Sequence, residues 1–198
     1  MSWTEWYHAV HLVQQKVSRT AVDRRRPSLL REVALSATDF SAPIDDRYFE
    51  DYLPGAVYEY GSITVTEAEI IDFARRYDPQ DIHVDPEVAA HGNFGGLIAS
   101  GWQTATIMMR LLVGHFLSKV ASLGSPGIDE LRWTRPVRPG DVLRIRVTVL
   151  EATRSRSRPD RGVVRTLVEV LNQNGEIVMS LKPMNLLRCR PTGREMDA

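Results

Sequence analysis

Cysteine is nearly absent. Cys189 is the one cysteine in 198 residues, so neither an intramolecular disulfide nor a cysteine cage for a metal can form. A reducing cytoplasm is the compartment this usage suggests. Excess charge is absent as well: 25 basic residues balance 25 acidic ones, and the overall electrostatic footprint of a nucleic-acid binder is missing. No apolar run reaches the ~18 residues that would cross a bilayer. The opening "MSWTEWYHAVHLVQQKVSRT" lacks the unbroken apolar centre and small-residue cleavage site of a signal peptide. The expectation is a cytoplasmic protein with neither nucleic acid nor membrane as partner. There is no internal repeat, no G-x-G-x-x-G or Walker loop for a nucleotide, and no G-x-S-x-G elbow around Ser62 or Ser100. His8, His11, His91 and His115 have no carboxylate at a persuasive metal-ligand spacing, so neither a metal nor another cofactor is expected.

Enough apolar sequence is present, 43%, to build a core. Charge is locally uneven: residues 16–31 and 154–165 are basic, and the stretch from Asp39 to Asp51 is mainly acidic. The turn-rich "SAPIDD" divides the chain. Residues 1–45 read as a basic, partly helical N-terminal extension, 46–190 as the domain, and 191–198 as a C-terminal tail. Trp3, Trp6, Tyr7, Val10 and Leu12 leave two readings of the extension open, an arm that clasps a partner or a frayed helix.

The periodicity of "VYEYGSITV" predicts a strand, and "TEAEIIDFARRYD" a helix opened by a capping box of Thr66 and Glu69. Pro79 disfavours helical dihedrals in the residue before it, so that helix ends at Asp78. A second long helix is expected over 101–120, with Ser100 and Gln103 as its capping box and apolar residues on nearly all faces, hence central and buried. Four strands follow, in "GIDELRWTRPV", "DVLRIRVTVLEAT", "GVVRTLVEVLNQ" and "GEIVMSLKPMNLL". Together these predict an α+β domain, an antiparallel sheet curled around one long helix.

The series "RYFEDYLPG", "TVTEAEIIDFARRYDPQDIHVDPE", "GGLIASGWQTA", "RPVRPGDVL" and "SRSRPDRGVVR…VLNQNGE" resembles the MaoC-like dehydratases, a family of hot-dog fold that includes the (R)-specific enoyl-CoA hydratases. The resemblance spans about residues 47–188. The family's hydratase motif is usually Asp, two residues on Asn-Pro, then His followed by Asp. Asp78 and His83 match its catalytic positions, while Gln80 and Asp81 stand where Asn and Pro are usual, and Ser100-Gly101 stands where many members have His-Gly. The resemblance implies a hot-dog fold, an enoyl-CoA hydratase or dehydratase activity, a coenzyme A thioester as substrate, and a homodimer or dimer of dimers with sites at the interface.

The residue types suit that chemistry. Hydrating a 2-enoyl thioester needs a base for water, a second group to position it, and dipoles for the enolate oxygen. Asp78, at the negative end of a helix and beside apolar surface, is expected to be a stronger base than free aspartate. His83 is expected to hold the same water, and the Gly101 amide at a helix N-terminus to receive the thioester oxygen, glycine allowing close approach. Ser100, Gln80, Trp102 and Gly96 are candidate substrate-binding neighbours. Asp85 reads as a cap for "PEVAA". Arg154, Arg156 and Arg158, with Arg161, either contact coenzyme phosphates through their guanidinium forks or solubilise an exposed hairpin. Two other activities stay open: a hot-dog thioesterase, and a non-catalytic acyl-CoA binder, for which Gln80-Asp81 in place of Asn-Pro is the hint.

Overall fold

The computed structural model describes residues 39–191. Five strands form: β1 (Val57–Thr64), β2 (Ser122–Trp133), β3 (Val142–Arg154), β4 (Arg161–Leu171) and β5 (Ile177–Arg188). They make one antiparallel sheet in the order β1-β3-β4-β5-β2. The cause is visible in β3, where Leu143, Ile145, Val147 and Val149 alternate with Arg144, Arg146 and Thr148. The first set is buried and the second half-exposed, so one face of the strand packs inward. Val164, Val168 and Val170 continue the buried face on β4.

Four helices connect and fill the sheet: α1 (Glu67–Tyr77), α2 (Asp81–Val84), α3 (Pro86–His91) and α4 (Gly101–Leu111). The expected hot-dog arrangement is present, with α4 lying on the sheet and Met108, Leu111 and Leu112 in its core. β1 can pass under the helix because of Gly61. Its φ is 95°, the register of β1 shifts across it, and a Cβ there would lie 2.5 Å from Leu111 Cδ2. Glycine alone accepts both that backbone and that approach.

The long helix departs from its expected length. It leaves α geometry after Leu111, makes one π turn over Leu112–Phe116 and stops, not reaching residue 120. Side chains take over its last carbonyls. Arg47 Nη1 donates to the carbonyl oxygens of His115 and Phe116, both at 2.9 Å, and Tyr52 Oη donates to Phe116 O at 2.9 Å. Ser118 Oγ then accepts from the amides of Val120 and Ala121 and turns the chain into β2. Burial pushes the Tyr52 phenol up to about 12, so it remains a donor. The helix is also not covered on all faces: Trp102, Met109 and Val113 are 59%, 44% and 53% exposed and form one stripe with Thr106.

Phe40, ahead of the expected boundary at 46, stacks on Tyr58 with ring centroids 4.1 Å apart and so packs with the domain. The rest of the expected N-terminal extension, with Trp3, Trp6 and the basic run, and nearly all of the expected tail lie outside the described residues. Among the described residues no helix is long and apolar enough to cross a membrane.

Candidate active site

The site is assembled where the end of α1 meets the start of α4. Thr66 and Glu69 form the expected capping box that opens α1, and Ile70 and Ala74, both fully buried, fix its inner face. The last turn ends with the Asp78 amide donating to Ala74 O at 2.9 Å. Pro79 then breaks the helix, leaving Asp78 as its C-cap. His83 lies on a short helix, α2, rather than on an open turn.

Two backbone contacts bring the distant segment 97–100 alongside. The Ile98 amide donates to Ile82 O at 3.2 Å and the Ala99 amide to Val137 O at 2.8 Å. His83 Nδ1 lies 2.8 Å from Ile98 O. A carbonyl only accepts, so Nδ1 carries a hydrogen, and the tautomer this contact selects is the one with its lone pair at Nε2. Nε2 is 3.4 Å from Asp78 Oδ2.

Ser100 completes the group. Fully buried, it donates from Oγ to Asp78 Oδ2 at 2.7 Å and accepts from the Trp102 amide at 3.2 Å as N-cap of α4. The expected capping box with Gln103 does not form: Gln103 Oε1 is buried without a partner among the described residues. Gln80 Nε2 donates to Asp78 Oδ1 at 2.7 Å. Both carboxylate oxygens are therefore held by neutral donors.

That environment overturns the expected base strength. Desolvation raises the Asp78 pKa and is the largest single influence, but hydrogen bonds from Ser100 and Gln80, with the nearby His83, outweigh it and hold the carboxyl below the usual range. Burial and the helix dipole alone would weaken the acid; the two donors, one of them 22 residues away, reverse the direction.

Gly101 stands at the first position of α4, where the amides have no intrahelical partner. The space a side chain would take there is filled by Trp133, whose Cε2 would lie 2.6 Å from a Cβ. The indole Nε1 donates to Gly101 O at 2.9 Å, and the ring sits edge to face with Trp102 at 5.4 Å. Glycine at 101 thus serves the packing of Trp133. Nothing in local spacing points to that tryptophan, 32 residues away on the end of β2.

The structure gathers Asp78, Gln80, His83, Ser100 and Gly101, with Trp102 on the rim. Gly96 lies apart, near Arg138 Nη1, with its amide bonded to Ala89 O. Asp85 caps α3, as expected, accepting from Glu87 and Val88. Arg154, Arg156 and Arg158 are not brought to the site within one chain. Arg154 pairs across the sheet with Gly162, and Gly162 with Leu187, whereas Trp133 pairs with Met179. From Met179 to Leu187 the sheet extends ~26 Å at strand rise. Arg154 is bound instead to Glu50 at 3.1 Å and to Cys189 Sγ at 3.2 Å.

A cleft of about 270 Å³ runs between α1 and α4, lined among others by Ile63, Phe73, Tyr77, Gln103 and Ile107 together with the charged Glu69, Asp72, Arg76 and Arg110; Asp78 and His83 are not part of its lining. Among the described residues no cluster of three or more His, Cys, Asp or Glu could hold a metal ion.

Comparison with known proteins agrees with this architecture. A MaoC-like dehydratase from Rhodospirillum rubrum superposes with a TM-score of 0.69 at 42% identity, covering 74% of this chain and 99% of that one. The unliganded R-hydratase of Pseudomonas aeruginosa gives 0.59 at 26% identity, covering 72% and 86%. The 3-hydroxyacyl-thioester dehydratase Z of Mycobacterium tuberculosis is 34% identical over 110 residues, 54% of this chain and 73% of that protein. The family model described as MaoC like domain matches residues 51–172, well over half of the sequence, and the chain belongs to the MaoC-like dehydratase family.

Proposed function

We propose that the protein is an enoyl-CoA hydratase or dehydratase, adding water across the 2,3 double bond of an acyl-CoA thioester or removing it. The observation that supports this most is the convergence of Asp78 and His83, from two helices, beside the N-terminus of α4. A water donating one hydrogen to Asp78 and the other to the His83 Nε2 lone pair has its oxygen free to attack C3. Asp78 takes the proton as the C–O bond forms, and the electron pair of the double bond moves toward the thioester oxygen as an enolate. The Gly101 amide is the donor for that oxygen, favoured by the helix dipole. The proton held by the Asp78–His83 pair then returns to C2. Dehydration is the reverse. These steps are acid–base chemistry and call on side chains and a backbone dipole rather than a cofactor.

The other groups have supporting roles. Ser100 and Gln80 orient the carboxylate, and Trp133 anchors the first turn of α4 through Gly101 O. The cleft between α1 and α4, lined in part by the apolar Ile63, Phe73 and Ile107, suits the acyl chain.

The same reading includes a homodimer. Among the described residues β2 is an edge strand that pairs only with β5, most of its residues are exposed, and the stripe of Trp102, Met109 and Val113, uncovered by those residues, gives apolar surface to bury. A long open edge of this kind is a template for another strand. The test is a panel of 2-enoyl-CoA substrates assayed for loss of the enone band with thiol release followed in parallel, on protein of measured oligomeric state. Enone loss without thiol release supports the hydratase. Thiol release supports a thioesterase, and neither supports a binder.

A further inference from the structure

The cleft between α1 and α4 has a floor that a plain hydrocarbon chain does not suit. Of its described lining residues Gln103 alone is buried, at 5% exposure, while Ile63, Phe73 and Ile107 stand half-buried around it. Neither end of the Gln103 carboxamide has a hydrogen-bond partner among the described residues. It does not cap α4, because the Ser100 hydroxyl serves the Trp102 amide. A buried acceptor without a partner costs stability, so the carboxamide is not there to hold the helix. The charged groups lie at the exposed rim and balance one another: Asp72 pairs with Arg76 at 3.4 Å, and Glu69, which accepts from Thr66, interacts with Arg110. Gln103 follows Gly101 by two residues, ~3 Å of helix rise. Helix side chains tilt toward the N-terminus, so the carboxamide leans toward the end of α4 where the reaction places the thioester.

We propose that Gln103 selects 2-enoyl-CoA substrates whose acyl group carries a hydroxyl a few carbons beyond the double bond. The proposal rests on the hydratase reading and on the cleft as the acyl site. A hydroxyl both donates and accepts, so it gives its hydrogen to Gln103 Oε1 or takes one from Nε2. The carbons before it lie against Ile63, Phe73 and Ile107. An alkyl chain in the same place shuts the carboxamide off from water and offers it no hydrogen bond, which discriminates against chains that lack the polar group. A carboxylate cannot donate to Oε1, and it meets no net positive charge at the rim.

The test compares 2-hexenoyl-CoA with its 4-, 5- and 6-hydroxy derivatives, hydration being read by mass as the gain of one water. The wild type should favour at least one hydroxylated chain by ~10-fold or more in kcat/KM. Gln103→Met keeps the length of the side chain without its donor and acceptor. In that variant the preference should vanish and the plain chain should gain, and Gln103→Leu serves as a second variant should the first not fold. The thermal midpoint should be no lower than that of the wild type, since no hydrogen bond within the chain is lost. A lowered midpoint with the hydroxyl preference intact marks a structural role and overturns the proposal. A wild type that treats all four chains alike, prefers the plain one, or prefers 2-hexenedioyl-CoA to every hydroxylated chain overturns it as well. Saturated hexanoyl-CoA and its hydroxylated forms, titrated calorimetrically, need no turnover. If the wild type hydrates no enoyl-CoA, the hydratase reading fails, and the calorimetry still decides the role of Gln103. Tighter binding of a hydroxylated chain that is lost in Gln103→Met supports it, and equal binding overturns it.

Discussion

Ser100 Oγ donates to Asp78 Oδ2 at 2.7 Å and at the same time accepts from the Trp102 amide, so one hydroxyl joins the end of α1 to the start of α4. The carboxylate and the helix N-terminus that the proposed reaction needs are thereby held at one place.

This hydroxyl makes a pH prediction. Hydrogen bonding depresses the Asp78 pKa below its ordinary value of about 3.8. A depressed carboxyl stabilises the fold above the unfolded pKa and loses that contribution as pH falls through the folded value. Ser100→Ala removes a lowering influence and leaves desolvation in place, so the acidic limb of the kcat/KM profile should move to higher pH. Stability at neutral pH should fall by ~1 kcal/mol for the lost cap. An acidic limb that stays in place would show that Ser100 does not tune the base.

Asp78→Asn keeps the shape of the side chain and most of its partners while removing the base. Turnover should fall by ~100-fold or more, with the thermal midpoint changed little. Near-normal turnover takes Asp78 out of the mechanism.

Gly101→Ala should disturb Trp133 first, because the new Cβ meets the indole. The expected result is a shift in tryptophan fluorescence together with a loss in kcat/KM. Gly101→Ala combined with Trp133→Ala relieves the clash and separates two causes. If activity returns in the double variant, the glycine acts only through the indole. If it stays low while Trp133→Ala alone is active, the space at the helix N-terminus itself is needed by the thioester oxygen; because Trp133 fills the space a Cβ would take, the account predicts the first outcome.

Arg47→Met tests how the helix is anchored. Arg47 is buried and bonds the carbonyl oxygens of His115, Phe116 and Ala42. Removing it leaves three acceptors without this donor, and urea denaturation should show a loss of ~2–4 kcal/mol. A change below ~0.5 kcal/mol would mean that solvent or Tyr52 satisfies those carbonyls.

Where periodicity and turn chemistry are strong, the sequence was legible. The Thr66–Glu69 box, the stop at Asp78, the Asp85 cap and the strands from Val142 onward all follow from nearest-neighbour physics. The family motif pointed to Asp78 and His83, and the structure sets them 3.4 Å apart. Contacts between residues far apart in sequence were not legible. Arg47 ends the long helix from 68 and 69 residues away, Trp133 fills the space over Gly101, and Ser100 lowers the Asp78 pKa it was not expected to touch. The apolar stripe of Trp102, Met109 and Val113 explains why the helix reads as wholly buried: composition marks surface that needs covering and does not say whether the same chain or another one covers it.

The central claim is that the Asp78 cluster directs water to C3 of an enoyl thioester, and the most direct measurement is the destination of oxygen from labelled water. Crotonyl-CoA is incubated with the enzyme in oxygen-18 water and the products are resolved by mass spectrometry. The account predicts label in the 3-hydroxyl group of an intact 3-hydroxyacyl-CoA, formed by wild type and lost in Asp78→Asn. Label in the carboxylate of a free acid, with coenzyme A released, would contradict it.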